Sequence, residues 1–201
     1  MSKQERDSIM NLLVQVDTDD QRYRSALQSV QSQYGGNSPE MKSLIGKMNT
    51  ADSINLIKVS AILDHYGWLG AKEIGNQGNV TLFMVIQHSR SEAQEKYLPM
   101  MRDAVKKGNA NAGSLALLED RVALHHGQRQ RYGSQLMWDM RTNQYRLSPL
   151  EDPDNVDARR LAVGLPSLQE YLALFGLEWN LDEYKKTAAV NEAEFFKHNP
   201  M

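Results

Sequence analysis

The densest set of groups able to do chemistry in this chain lies in residues 115–135, LALLEDRVALHHGQRQRYGSQ. An apolar helical run (Leu115, Leu118, Val122) carries Asp120 and Arg121 and breaks at Gly127. Gln130, Tyr132 and Gln135 follow at once. Charged groups beside an apolar face, then a glycine-containing loop able to approach a ligand, suit the wall of a pocket. His88 ends another apolar run. Histidine changes charge near neutral pH, so His88 is read as a general acid or base. The other reading is a core histidine satisfied by a backbone carbonyl. In the catalytic reading Asp120 orients His88, Arg121 binds charge, and Gln130, Tyr132 and Gln135 position a polar substrate. The plainer alternative makes Asp120–Arg121 a local ion pair and the other three a hydrogen-bonded turn bracing a hairpin.

Two further charged sets stand apart in the sequence. Asp157, Arg159 and Arg160 open a short helix, and guanidinium forks there suit a carboxylate or phosphate; the alternative is a solvated helix face. Asp20, Gln21 and Arg24 sit on an N-terminal helix, with Asp20 and Arg24 four apart and able to pair. His125-His126 invites a metal reading, but adjacent helical residues diverge by about 100° and no HExxH spacing accompanies them. No metal site and no cofactor is expected. GxGxxG, Walker and GxSxG patterns are absent from the sequence.

The totals limit the classes of function. A chain of 201 residues is long enough to bury a real core. A net charge of −2 gives no bias toward nucleic acid or anionic membrane. With no cysteine, disulfides, thiolate nucleophiles and cysteine metal sites are excluded. No apolar run approaches the roughly 18–20 residues of a membrane span. The start, MSKQERDSIMNLLVQVD, lacks a basic segment leading into an apolar one. A cytoplasmic location is therefore expected, with export as the alternative if a signal once preceded Met1.

The elements that must position these groups are mostly helical. Ile9, Leu12, Leu13 and Val16 recur at helical spacing. A second helix is predicted over Asp19–Tyr34, ended by Gly35-Gly36. Ser38 as cap and Pro39 at the first position start a third, which carries Asp52 and Asn55 on neighbouring turns and ends near Gly67. Trp68–Gly78 reads as a glycine-punctuated connector. Asn79–His88 is apolar almost all round, the mark of a buried helix. Glu92–Lys107 and Ala112–His126 complete the helical series. Ser134–Trp138 and Gln144–Leu147, flanking Asp139–Asn143, predict a β-hairpin. Short helices follow over Asn155–Val163 and Ser167–Phe175. The tail from 179 to 201 reads as polar and loosely attached, with Phe195-Phe196 able to dock it. The prediction is a mainly α, single compact multi-helix domain, core about 5–178, with a small β-hairpin after residue 133.

Several of these residues occur in a recognisable order: Trp68…Ile74-Gly75, Gln87-His88, Gln94, Asp120-Arg121-Val122, Gln130-x-Tyr132-Gly133-Ser134-Gln135, and Val156-Asp157-x-Arg159-Arg160…Gly164-Leu165. Over roughly residues 10–175 the chain resembles a bacterial family known only as a domain of unknown function, seen in Bacteroidetes and actinobacteria. Asp20-Gln21-x-x-Arg24 and Asp52-x-x-Asn55 look like its earlier segments. The resemblance implies that the polar residues form one recurring set. It brings no activity with it. Some relatives have histidine where this chain has Ser114, a departure that argues against a two-histidine metal site.

Together these readings point to an enzyme doing acid–base chemistry on a small or peptide-like polar substrate. Its catalytic residues are expected to be His88, Asp120 and Tyr132. The binding residues are expected to be Arg121, Gln130, Gln135, Arg159, Arg160, Asp20 and Arg24. A non-catalytic module for a small polar or anionic ligand, and a structural or interaction protein, are the alternatives.

Overall fold

The computed structural model describes residues 1–139 and 144–198. The chain is mainly α-helical with one two-stranded antiparallel sheet, the class its sequence predicts. Its contacts gather into two compact units, Met1–Asn111 and Ala112–Met201. No helix among the described residues is long and apolar enough to cross a membrane.

The first unit opens with α1 (Lys3–Arg24), whose start is fixed by a reciprocal cap between Ser2 and Glu5. The boundary predicted between Val16 and Asp19 is not there. Thr18 bonds back to the Val14 carbonyl within the helix. Asp20 continues the inward face of Ile9, Leu13 and Val16 and is buried with them. The polar run Asp17–Asp20 therefore resembles a cap in sequence but is interior helix. A short helix, α2 (Leu27–Tyr34), leads to α3 (Pro39–Tyr66), which starts as predicted with the Ser38 hydroxyl accepting from the Met41 N–H.

The reading of Trp68–Gly78 as a connector is corrected by α4 (Ala71–His88). Glu73 accepts from the Gly70 N–H at its start. At Gly75, φ 72° and ψ 165°, the backbone leaves helical geometry, so Ala71–His88 is two helical segments joined at a kink, and the glycine does interrupt the helix. Glycine reaches that backbone conformation without a side-chain penalty. Three residues on, a Cβ at Gly78 would lie 3.2 Å from Leu13 Cδ1, so the glycine lets α4 lie close against α1. Last in this unit is α5 (Ser91–Lys106). Leu13, Val16, Val59, Leu63, Leu82, Ile86 and Met101 are among the buried apolar residues.

The second unit begins with α6 (Ala112–His125), followed by β1 (Leu136–Asp139) and β2 (Gln144–Leu147). The strands pair antiparallel with Leu136 opposite Leu147 and Trp138 opposite Tyr145. From residue 140 the predicted turn Asp139–Asn143 lies outside the described residues. A 3-10 turn (Pro153–Asn155), α7 (Val156–Ala162) and α8 (Leu168–Ala173) follow, and Leu150, Val156, Leu168 and Leu172 form a buried cluster.

The expectation of a loose tail is also corrected. Residues Leu181–His198 form α9. It is held where Tyr184 accepts from the Leu150 N–H at 2.7 Å and Glu192 pairs with both ends of the Arg129 guanidinium. The polar composition of the tail reflects a helix with one anchored side; Phe195 is buried.

Candidate functional site

In the first unit three helices meet at a charged network. Asp20 on α1 is only 2% exposed, and its Oδ1 lies 2.9 Å from Nδ1 of His88, the last residue of α4. Gln21 donates to Asp20 Oδ2 at 2.7 Å. Arg24 donates to the Asp20 backbone carbonyl at 3.0 Å, lies 3.5 Å from its Oδ1, and reaches Asp52 Oδ2 on α3 at 2.9 Å. Burial opposes a charge on Asp20. The hydrogen bond and charge of His88, the Arg24 guanidinium and Gln21 outweigh it and hold the carboxyl below the ordinary aspartate value.

An ionised Asp20 can only accept, so Nδ1 of a neutral His88 carries the proton and Nε2 is left with a free lone pair. Among the described residues nothing hydrogen-bonds Nε2. His88 lines a cleft of about 630 Å³ together with Asn49, Asp52, Ser53 and Arg90. Asp52 Oδ1 is buried without a hydrogen-bond partner. Arg90 has neither an ion pair nor a hydrogen bond from its guanidinium among the described residues. The residues lining the cleft thus carry an imidazole, a carboxylate and a guanidinium, groups able to take up a proton beside an anion.

The residues of the second unit are brought together differently. Asp120 is fully buried, and its carboxylate is encircled by the loop after α6. Oδ1 accepts from the N–H groups of Arg131 (2.7 Å) and Tyr132 (2.9 Å). Oδ2 accepts from the Ser134 N–H (2.9 Å) and hydroxyl (2.8 Å). Burial pushes its carboxyl above the ordinary value, against the pull of those donors. The carboxylate at His88 Nδ1 is Asp20, in the role that the sequence reading gives to Asp120. Arg121 Nε donates to Gln135 Oε1 at 3.0 Å. Gln130 is buried and spans the base of the hairpin. Its Nε2 donates to the carbonyls of Gln135 (3.1 Å) and Ser148 (2.8 Å), and its Oε1 accepts from the Gln135 N–H (2.8 Å).

Arg160 is 1% exposed. It donates to the carbonyls of Tyr132 and Pro166 and lies over the Tyr171 ring. Tyr171 in turn donates to the Ser134 carbonyl. Arg159 bonds the carbonyls of Arg131, Glu151 and Asp152 and the Asp152 carboxylate. The Tyr132 side chain is buried, and that burial raises its hydroxyl above the ordinary value. Gln130, Arg159 and Arg160 thus fasten backbone to backbone, and the Gln135 amide ties Arg121 and the Ser134 hydroxyl to the Leu117 carbonyl. Among the described residues no group of three or more His, Asp or Glu side chains is placed to hold a metal ion.

Asp52, Ser53 and Arg90 belong to the cleft and were not selected by sequence. Asp52 carried a cue, its spacing of three from Asn55 on one helix; Arg90, directly after a glutamine–histidine–serine run, carried none. A family of unknown function (DUF6624) matches residues 8–183, so the chain belongs to that family. No curated protein and no solved structure matches it.

Proposed function

We propose that the protein is an enzyme in which His88 acts as general base and then general acid on a small polar, negatively charged substrate bound in the α3–α4 cleft. One observation carries this reading. His88 Nδ1 is tied to the buried Asp20 carboxylate at 2.9 Å while Nε2, unpartnered, belongs to a residue lining the cleft. Asp20 fixes the tautomer and stabilises the imidazolium formed when Nε2 takes a proton from substrate or water. Asp52 Oδ1 accepts from a substrate hydroxyl or amide N–H, and Arg90 offsets its negative charge. The Asp120–Gln130–Gln135–Arg160 cluster braces the hairpin loop. The expected setting is the cytoplasm of a bacterium; the net charge of −2 argues against nucleic acid as partner.

The second reading is a strut. Arg24 joins Asp20 to Asp52, and His88 joins Asp20 to α4, so the network could serve only to lock three helices. Long-range proton–nitrogen correlation spectra of the intact protein distinguish the two while acetate, inorganic phosphate and glycylglycine are titrated in. The catalytic reading expects a protonated Nδ1 and an unprotonated Nε2 in the neutral imidazole, with at least one probe shifting Nε2. It also expects Arg90→Ala to weaken that shift. A proton resident on Nε2, or no response at His88 to any of the three probes, would refute it.

A further inference from the structure

A second cleft, of about 440 Å³, lies between α1 and α3 on lining residues that the His88 cleft does not share. Three features of it call for something outside the chain. First, Gly46 lies inside α3, and a Cβ built there meets no atom within 4 Å. Glycine weakens a helix interior, and no neighbour in the fold requires its missing side chain. What it provides is open space directly over the helix backbone, extended by Ala51.

Second, Asn55 is the buried member of the lining, 1% exposed. Its Nδ2 donates to the Val16 carbonyl at 3.4 Å, which turns the amide so that the remaining atom is an acceptor. That Oδ1 has no partner. A buried acceptor without a donor is costly and rare in native proteins. Third, the charge at the rim is uneven. Asp19 is matched by both Arg22 (3.7 Å) and Lys58 (3.5 Å), whereas Lys47 has no ion-pair partner among the described residues. Lys47, Ala51 and Asn55 follow at intervals of four, on one face of α3, and span about 12 Å along it.

We propose that this cleft binds a small aromatic carboxylate carrying a hydroxyl or amide donor. The carboxylate meets Lys47, the flat ring lies over Gly46 and Ala51, and the donor reaches Asn55 Oδ1. The site is separate from the His88 cleft and does not depend on the catalytic reading.

Calorimetry on the full chain tests it with 4-hydroxyphenylacetate as probe. Two controls accompany it: phenylacetate, which lacks the donor, and methyl 4-hydroxyphenylacetate, which lacks the charge. The probe should bind, with each control at least fivefold weaker. Lys47→Ala should weaken binding roughly tenfold, the scale of one charge-assisted hydrogen bond. Gly46→Leu should fill the cleft and abolish binding while the chain stays helical and melts at or above the wild-type temperature, since its Cβ meets open space and glycine is the weaker helix former. His88→Ala should bind as the wild type does. The proposal is overturned if the probe does not bind at millimolar concentration, if phenylacetate binds equally well, or if a folded Gly46→Leu still binds.

Discussion

Asp20 and His88 are 68 positions apart, and their contact selects which nitrogen of the neutral imidazole carries the proton and helps keep the carboxylate charged. Folding lowers the pKa of Asp20. The stability this contributes is therefore present above the unfolded value, near 4, and lost as pH falls through the lower folded value. Asp20→Asn keeps the shape and removes the titration. Chemical denaturation between pH 7 and pH 3 should show the wild type more stable than the variant at neutral pH. The gap should narrow below about pH 4. A gap that stays constant or widens toward acid would mean that Asp20 gains nothing from its partners. This pairing was only half legible in sequence. His88 stood out because it ends an almost wholly apolar helix, and Asp20 and Arg24 stood out as charges. Sequence displays the local relation of Asp20 to Arg24, four residues apart, and not a contact between the last turns of α1 and α4. Asp120 looked like the natural partner because it sat in the most distinctive motif. That motif is distinctive because a buried carboxylate must be surrounded by donors, and Arg131, Tyr132 and Ser134 supply them from one turn of chain.

Helices whose ends carry a chemical stop were readable, and those whose ends depend on packing were not. Ser38-Pro39 starts α3 where the cap rule places it. Polar residues in α1 mimic a boundary, yet its inward face runs straight through them, whereas Gly75 in α4 does break the helical geometry and leaves a kink between two helical segments. Helix α9 was missed because its apolar anchors are few, and it is fixed by single polar bonds such as Tyr184 to Leu150. The hairpin was legible from the two short runs flanking Asp139–Asn143, but the side chain that closes it was not. Gln130 satisfies the carbonyls of Gln135 and Ser148 and the N–H of Gln135, just outside Leu136 and Leu147, the paired ends of the two strands. One amide thus does at the hairpin base what a third strand would do. Gln130→Ala leaves the Ser148 carbonyl and the Gln135 N–H without their partner, while the Gln135 carbonyl keeps the Ser148 N–H, at a cost of about 1–3 kcal/mol. At roughly 2–4 °C per kcal/mol for this chain length, its melting midpoint should drop by several degrees. Amide exchange at Gln135 should accelerate more than exchange in α3. A midpoint within a degree of wild type would show that the amide does not hold the hairpin.

At the scale of the whole molecule, the polar networks described above each stay within one compact unit. Every bond of the Asp20–His88–Arg24–Asp52 network is made within Met1–Asn111, as are the Gly78 packing on Leu13 and the bonds from Asn79 to the carbonyls of Leu69 and Asn109. Every partner of Asp120, Gln130 and Arg160 named above lies within Ala112–Met201. Segments of about 110 and 90 residues fall within the size at which single domains fold unaided. Each has its own buried apolar residues, with Leu13, Leu63 and Leu82 in the first and Leu150, Leu168 and Leu172 in the second. The break falls after Gly108, between the end of α5 at Lys106 and the start of α6 at Ala112. The expected outcome is that residues 1–111, expressed alone, are helical by circular dichroism and melt cooperatively. They should also retain the Nδ1-protonated tautomer of His88, since the partner that dictates it is in the same segment. A fragment with the helical signal of an unfolded chain, or one in which His88 shows rapid tautomer exchange, would mean that the network needs the second unit to stand. The candidate site would then be a property of the full chain rather than of its first 111 residues.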